Sequence, residues 1–229
     1  MKTKIFKIDS IPACLFGENK DNLFIAVHGF FSNKQDEIIR EFADIVTKKG
    51  YSVLSFDLAS FGERTGEKCT ISRAISDLTL VLDCAKREFI NVNVFAVSYG
   101  AYVAMQVFKQ KTDKFIMLSP IVNMLKLTYD LMMQNGVTEQ ELINEKEIVK
   151  NYQAFYLEDL KFAQKNPSGE IKGNGYVIYG KNDTLQSFSL IKDFSDKNNC
   201  ELFVLQNGEH FVHTKEQLDF FKNAINKIV

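Results

Sequence analysis

No apolar run in these 229 residues approaches the ~18–20 residues that a membrane-spanning helix needs. Neither sign of charge dominates: 28 Lys and Arg face 29 Asp and Glu, a formal net charge of −1. That balance argues against a broadly basic nucleic-acid binder, and the lack of like-charge blocks argues against a charged, disordered tail. No internal repeat and no low-complexity linker interrupts the chain. Cys14, Cys69, Cys84 and Cys200 show no CxxC spacing, so they read as reduced thiols, not as a disulfide frame or a zinc site. Histidines number only three. The pair His210 and His213 has His-x-x-His spacing but lacks the glutamate of HExxH, so a metal-dependent hydrolase has thin support. No metal and no organic cofactor is expected. The opening MKTKIFKIDS alternates polar and apolar residues and reads as a strand, not a signal peptide. With the cysteine usage, this gives the expectation of a cytoplasmic protein.

What is present is ordinary for a globular domain: 45% hydrophobic and 25% charged residues. The length suits a single domain over residues 1–229 with an ample core. Lys4–Asp9 and Ile11–Phe16 suggest an opening antiparallel pair. Short apolar runs then alternate with helical spacing: Leu23–Val27, Val53–Phe56, Val92–Val97 and Phe115–Leu118 read as strands. Between them, Ile38, Phe42, Ile45 and Val46 follow a helical period, with capping-box spacing at Ser32 and Gln35. Ile71 to Phe89 and Tyr99 to Phe108 read as further helices. From Ile121 to about Pro167 no strand-like run is evident, and the segment has the length of an inserted helical lid. Strands resume at Tyr176–Tyr179 and Leu202–Leu205. A last helix begins at Thr214, where Gln217 again has capping-box spacing. Strands apolar on both faces, alternating with helices, predict an α/β fold with a mainly parallel, doubly wound sheet and a small helical lid insertion.

Sites in such sheets gather at the carboxyl ends of the strands. The residues there are His28-Gly29-Phe30, Asp57, Ser98-Tyr99-Gly100, Asp183 and His210. A hydroxyl, a carboxylate and an imidazole therefore occur in the order Ser98, Asp183, His210, each just past an expected strand. A serine hydroxyl is a weak nucleophile until an adjacent base takes its proton. Histidine can accept and return a proton near neutral pH. A carboxylate orients the imidazole and stabilises its cation. Ala96-Val97-Ser98-Tyr99-Gly100 matches the strand-to-helix elbow G-x-S-x-G with one departure, Ala96. The backbone N–H groups of Tyr99 and Phe30 are placed to hold a developing oxyanion.

The matching segments are HGF at His28–Phe30, FDLASFGER at Phe56–Arg64, AVSYG at Ala96–Gly100, YGKND at Tyr179–Asp183 and NGEHF at Asn207–Phe211. On these the sequence resembles the α/β-hydrolase superfamily from about Leu23 to Val229. Within it, the chain is most similar to small bacterial carboxylesterases of the dienelactone-hydrolase, cinnamoyl-esterase and serine-aminopeptidase-like type. The resemblance implies a Ser98 nucleophile, an Asp183 acid, a His210 base and an oxyanion hole from the Phe30 and Tyr99 amides. It also implies a lid after the fourth parallel-type strand. Substrates of that type are small esters or acyl compounds.

Plainer readings stand beside these. Ser98 could be a helix N-cap, and Asp183 a turn residue, with Asp193 and Asp196 as rival acids. His213 reads as a surface residue and His28 as a structural tie for the oxyanion loop. Phe31, Met124, Leu127, Met132 and Met133 are candidates to line a substrate pocket, though apolar pockets and apolar cores share a composition. Arg64 could meet a substrate carboxylate or pair with Glu63 or Glu67. The leading expectation is a serine hydrolase cleaving a carboxylic ester or thioester. The alternatives are an aminopeptidase-like amide hydrolase and a catalytically inactive binding protein on the same fold. The expected partner is a small-molecule substrate, without nucleic acid or a membrane span, for a monomer or a homodimer.

Overall fold

The structure is a computed structural model that describes residues 1–108 and 110–229. The chain opens on an antiparallel pair, β1 (Thr3–Ile8) and β2 (Ile11–Phe16). The parallel part follows: β3 (Asn22–Val27), β4 (Ser52–Phe56), β5 (Asn91–Val97), β6 (Thr112–Leu118), β9 (Gly173–Gly180) and β10 (Glu201–Leu205). They form one eight-stranded sheet in the order β1-β2-β4-β3-β5-β6-β9-β10, with β1 and β2 the antiparallel edge.

The central strands are apolar on both faces because helices cover both. Leu23, Ile25 and Val27 of β3 point to one layer, Phe24 and Ala26 to the other. β5 repeats the alternation with Val94 and Ala96 against Phe95, and β6 with Phe115 and Met117 against Ile116. One layer is built on α2 (Ile71–Glu88), α3 (Tyr99–Val107) and α7 (Phe188–Lys197). The other is built on α1 (Glu37–Thr47) and α8 (Lys215–Ile228). Phe42 of α1 stacks on Phe95 of β5 at 4.0 Å, locking that helix over the strand that leads to Ser98.

The cap of α1 differs from the expected one. Asp36, not Ser32, caps the helix by accepting the Ile38 N–H, and Ser32 donates its hydroxyl to Asp36. Asp36 stands directly before the first helical residue, so its carboxylate reaches the first-turn amides without strain. The box at Thr214 and Gln217 forms as its spacing predicts.

Between β6 and β9 lie α4 (Met124–Gln134), α5 (Glu139–Glu145), β7 (Glu147–Lys150), β8 (Gln153–Tyr156) and α6 (Leu157–Lys165). The segment expected to be wholly helical thus contains a hairpin. Its strands are four residues each, and its turn holds Asn151 and Tyr152 at positive φ. Tyr152 is a poor turn former, which is why periodicity and turn signals both pass over it. The insertion has its own small core of Met132, Val137, Leu142, Phe155, Leu157 and Leu160. Its two ends are joined by the Met124 N–H donating to the Pro167 carbonyl at 2.8 Å. Among the described residues, no helix is long and apolar enough to cross a membrane.

Candidate active site

β5 ends at Val97 and α3 starts at Tyr99, so Ser98 must turn the chain in a single residue. It does so at φ 53° and ψ −120°, a conformation that strains any side chain. The turn brings the start of α3 against β3. A Cβ at Gly100 would lie 2.5 Å from the Val27 and His28 carbonyl oxygens, so only glycine fits. Ser98 makes no capping bond to α3, which removes the plain N-cap reading of its hydroxyl.

That hydroxyl lies 2.9 Å from His210 Nε2. His210 Nδ1 lies 2.7 Å from Asp183 Oδ2. The other Asp183 oxygen accepts the Leu185 and Gln186 N–H groups at 2.7 and 3.2 Å. With both oxygens engaged and the imidazole and carboxylate buried, the line of contacts is fixed. A proton leaving Ser98 can pass to Nε2 while Asp183 faces the resulting positive charge. The rival acids Asp193 and Asp196 lie on α7, away from the strand end. His213 is exposed, 3.7 Å from Glu209. Among the described residues, no three His, Cys, Asp or Glu side chains are grouped as a metal site would group them.

The loop after β3 crosses in front of Ser98. Phe30 stacks on the Tyr99 ring at 4.3 Å, which holds the loop against the start of α3. Tyr99, as the first residue of α3, has an amide with no intrahelical acceptor. Two sets of contacts anchor the loop. His28 is fully buried; its Nδ1 pairs with the Gly29 carbonyl at 2.7 Å and its Nε2 accepts the Leu58 N–H at 3.0 Å. This requires the neutral ring protonated on Nδ1, and burial lowers the pKa accordingly.

The second anchor joins residues that are distant in the chain. Asp57, fully buried, accepts the Lys34 backbone N–H at 2.8 Å, the Lys34 ammonium at 2.7 Å and the Glu63 N–H at 3.0 Å. Lys34 also pairs with Glu63 at 2.6 Å. Burial works against the Lys34 charge, but the bonds to Asp57 and Glu63 outweigh it and raise its pKa. Gly62 sits over this carboxylate at φ 58°, where a Cβ would lie 2.3 Å from it. Arg64 belongs to the same lock. It is buried, donates to the Asp57 carbonyl and pairs with Asp77 and Glu67. Lys34→Met should therefore leave a buried carboxylate unpaired and destabilise the fold by about 3–5 kcal/mol. The measurement is the urea midpoint of unfolding; an unchanged midpoint would contradict the anchoring role.

An apolar cavity adjoins Phe30 and Tyr99, roofed by the insertion. Of the expected pocket residues, Phe31, Met124 and Leu127 line it. Met132 and Met133 do not. Met132 is buried in the insertion's own core, and Met133 is 76% exposed. The helical period explains this: Met124, Leu127 and Leu131 share one face of α4, and the two methionines turn past it.

The cavity holds one acidic residue among its described lining, Asp159 of α6. Its Oδ1 accepts the Ile71 N–H at 2.7 Å at the start of α2. Burial pushes its pKa up to about 7, against the pull of the Ile71 bond. The folded protein then keeps a proton that the unfolded chain releases as pH rises from about 4 to about 7. Stability must fall across that window and level off above it. Asp159→Asn should abolish this fall, so its Tm relative to the unsubstituted chain should be higher at pH 8 than at pH 5. The expected difference is at most about 4 kcal/mol. Parallel Tm-against-pH curves would contradict it.

The model of the family described as serine aminopeptidase, S33, matches residues 18–137. A putative hydrolase from Agrobacterium vitis superposes with a TM-score of 0.78 at 17% identity, covering 100% of this chain and 98% of that one. Est1E from Butyrivibrio proteoclasticus, solved with ferulic acid bound, gives 0.76 at 16%, covering 98% and 96%. An esterase from Pyrococcus furiosus gives 0.72 at 20%, covering 99% and 89%. At these identities the likeness shows the shared fold. No curated protein matches the chain in sequence.

Proposed function

Because this chain belongs to the serine aminopeptidase S33 family, with the α/β-hydrolase fold, we propose that it is a serine hydrolase cleaving carboxylic esters. What supports this reading most is the hydrogen-bonded line from Ser98 through His210 to Asp183. In the first step the Ser98 oxygen bonds to the substrate carbonyl carbon as His210 Nε2 takes the hydroxyl proton. The carbonyl oxygen becomes an oxyanion, which the Phe30 and Tyr99 N–H groups are disposed to receive. The bond to the alcohol breaks, and His210 returns its proton to the leaving oxygen. Water then gives a proton to His210 as its oxygen bonds to the acyl carbon; the bond to the Ser98 oxygen breaks, His210 returns that proton to it, and the acid leaves. In this reading Asp183 keeps the ring oriented and stabilises the imidazolium, and no metal or organic cofactor takes part.

The segment from Ile121 to about Pro167 acts in this proposal as a lid over the acyl portion, with Phe31, Met124 and Leu127 facing it. The family description and the esterase neighbours favour different leaving groups, an amine in the one case and an alcohol in the other. A fluorophosphonate probe tests the serine chemistry directly: it should label the protein, and Ser98→Ala should abolish labelling. Matched esters, thioesters and aminoacyl amides then decide the leaving group. Faster turnover of the amides would overturn the ester assignment, and absence of labelling would overturn the nucleophile.

A further inference from the structure

Asp159 stands out among the cavity groups because its surroundings do not satisfy it. Phe30, Phe61, Met124, Leu127 and Phe155 make the lining largely apolar, and Asp159 is the one acidic group among its described residues. One carboxylate oxygen is occupied by the Ile71 N–H. The other has no hydrogen-bond partner, and no cation pairs with the group among the described residues. Among the described residues, the titratable groups that act on it or feel it are Cys69, Tyr99, Tyr102, Tyr156 and Glu158, none of them positive; Arg64 and Lys68 stand beyond them, against Cys69 and Tyr156, and each is paired with a glutamate of its own. Asp159 is partly buried, so its open oxygen faces the cavity, where a donor entering from solvent can reach it.

A second polar group in the same lining is also short of a partner. The Tyr99 hydroxyl is buried and makes no hydrogen bond of good geometry. The Cys69 thiol beside it is a weak acceptor at best. A helix-capping role accounts for only part of Asp159. Thr70 already caps α2 through the Arg73 N–H, and the Ile71 bond uses a single carboxylate oxygen. An asparagine would cap as well.

We infer that Asp159 determines specificity: the part of the substrate entering this cavity ends in a hydrogen-bond donor, a hydroxyl or an ammonium, that pairs with its open oxygen. This rests on the serine-hydrolase reading for the reacting end and adds the chemistry of the buried end. An alkyl chain ending in a methyl group fills the apolar wall but leaves the carboxylate unpaired. A chain ending in a donor satisfies both. At pH 8, the pH of the test, where the carboxyl is ionised, a charge-assisted bond in such a site corresponds to about ten- to a hundredfold in affinity.

The experiment uses methyl esters of saturated acids of six, eight and ten carbons, each with its ω-hydroxy and ω-amino counterpart. Binding is read by calorimetry on the Ser98→Ala protein, and turnover by acid release from the unsubstituted chain. At the best-fitting length, the donor-bearing esters should bind at least about tenfold more tightly than the plain ester. Adding Asp159→Asn, which keeps a carbonyl for the Ile71 N–H, should bring the ω-amino advantage below about threefold. An advantage confined to the ω-hydroxy series would assign a neutral donor, and one confined to the ω-amino series a cation. Equal or weaker binding of the donor esters at every length would overturn the inference, as would an ω-amino advantage that Asp159→Asn leaves intact. Tight donor-dependent binding without turnover of any ester would keep the Asp159 site and overturn the ester reading. Turnover without donor preference would do the reverse.

Discussion

Ser98→Ala is expected to lower kcat/KM for any hydrolysed ester by about ten-thousand- to a millionfold while leaving the protein folded. The size follows from what the hydroxyl does. It is the one nucleophile 2.9 Å from His210 Nε2, and its loss removes the covalent route entirely. Residual rate over water would come from binding and the oxyanion donors alone. Stability should change little, because Ser98 makes no capping bond to α3. Ser98→Gly provides a control on strain. At φ 53° glycine is at ease, so this variant should be equally inactive yet more stable. Unfolding midpoints and steady-state rates on the same preparations separate the two effects. Near-normal turnover by Ser98→Ala would remove Ser98 from the reaction.

Asp183→Asn should cost about ten-thousandfold in kcat with little change in KM. The buried carboxylate bonds His210 Nδ1 at 2.7 Å, and its second oxygen is filled by two backbone N–H groups. Those amides force the carbonyl of an asparagine to remain where Oδ1 now lies. The amide nitrogen then faces His210 Nδ1 as a donor and requires the other ring tautomer, with the proton on Nε2. A ring protonated at Nε2 cannot accept the Ser98 proton. Rates measured beside the unsubstituted protein test this, and a loss below about tenfold would assign the carboxylate to another residue. Glu at this position is not an equivalent control, because its extra methylene has no room in a buried site.

The parallel sheet is legible in the sequence because its central strands are buried on both sides and show as short, unbroken apolar runs. Ser98, Asp183 and His210 can be picked out for a related reason: each follows such a run directly. Contacts that depend on distant pairing leave no local trace. Lys34 meets Asp57 and Glu63 across 23 and 29 positions, and Asp159 meets Ile71 across 88. A lysine seven residues past a strand looks like any surface cation until the fold closes over it. Gln186 is missed in the same way, though its Oε1 takes the Val122 and Asn123 N–H groups from 64 and 63 residues away. Arg64 was open between two roles, and only its buried bonds to Asp77 and Glu67 decide for the structural one. The methionines of α4 show the limit of periodicity. Spacing says which residues share a face, but the packing of neighbouring elements decides which face meets the cavity.

Gln186 also connects two regions of the molecule. Its backbone N–H holds the Asp183 carboxylate, and its side chain holds the root of the insertion. With the Met124–Pro167 bond at the root and the Asp159–Ile71 bond from α6 to α2, the insertion is tied to the sheet domain at two places and carries a small core of its own between them. The stretch between these ties, α5 with the β7–β8 hairpin, is the part of the insertion that bears least on the triad. A change in the length of that hairpin should therefore leave the residues bonded to Ser98 in their alignment.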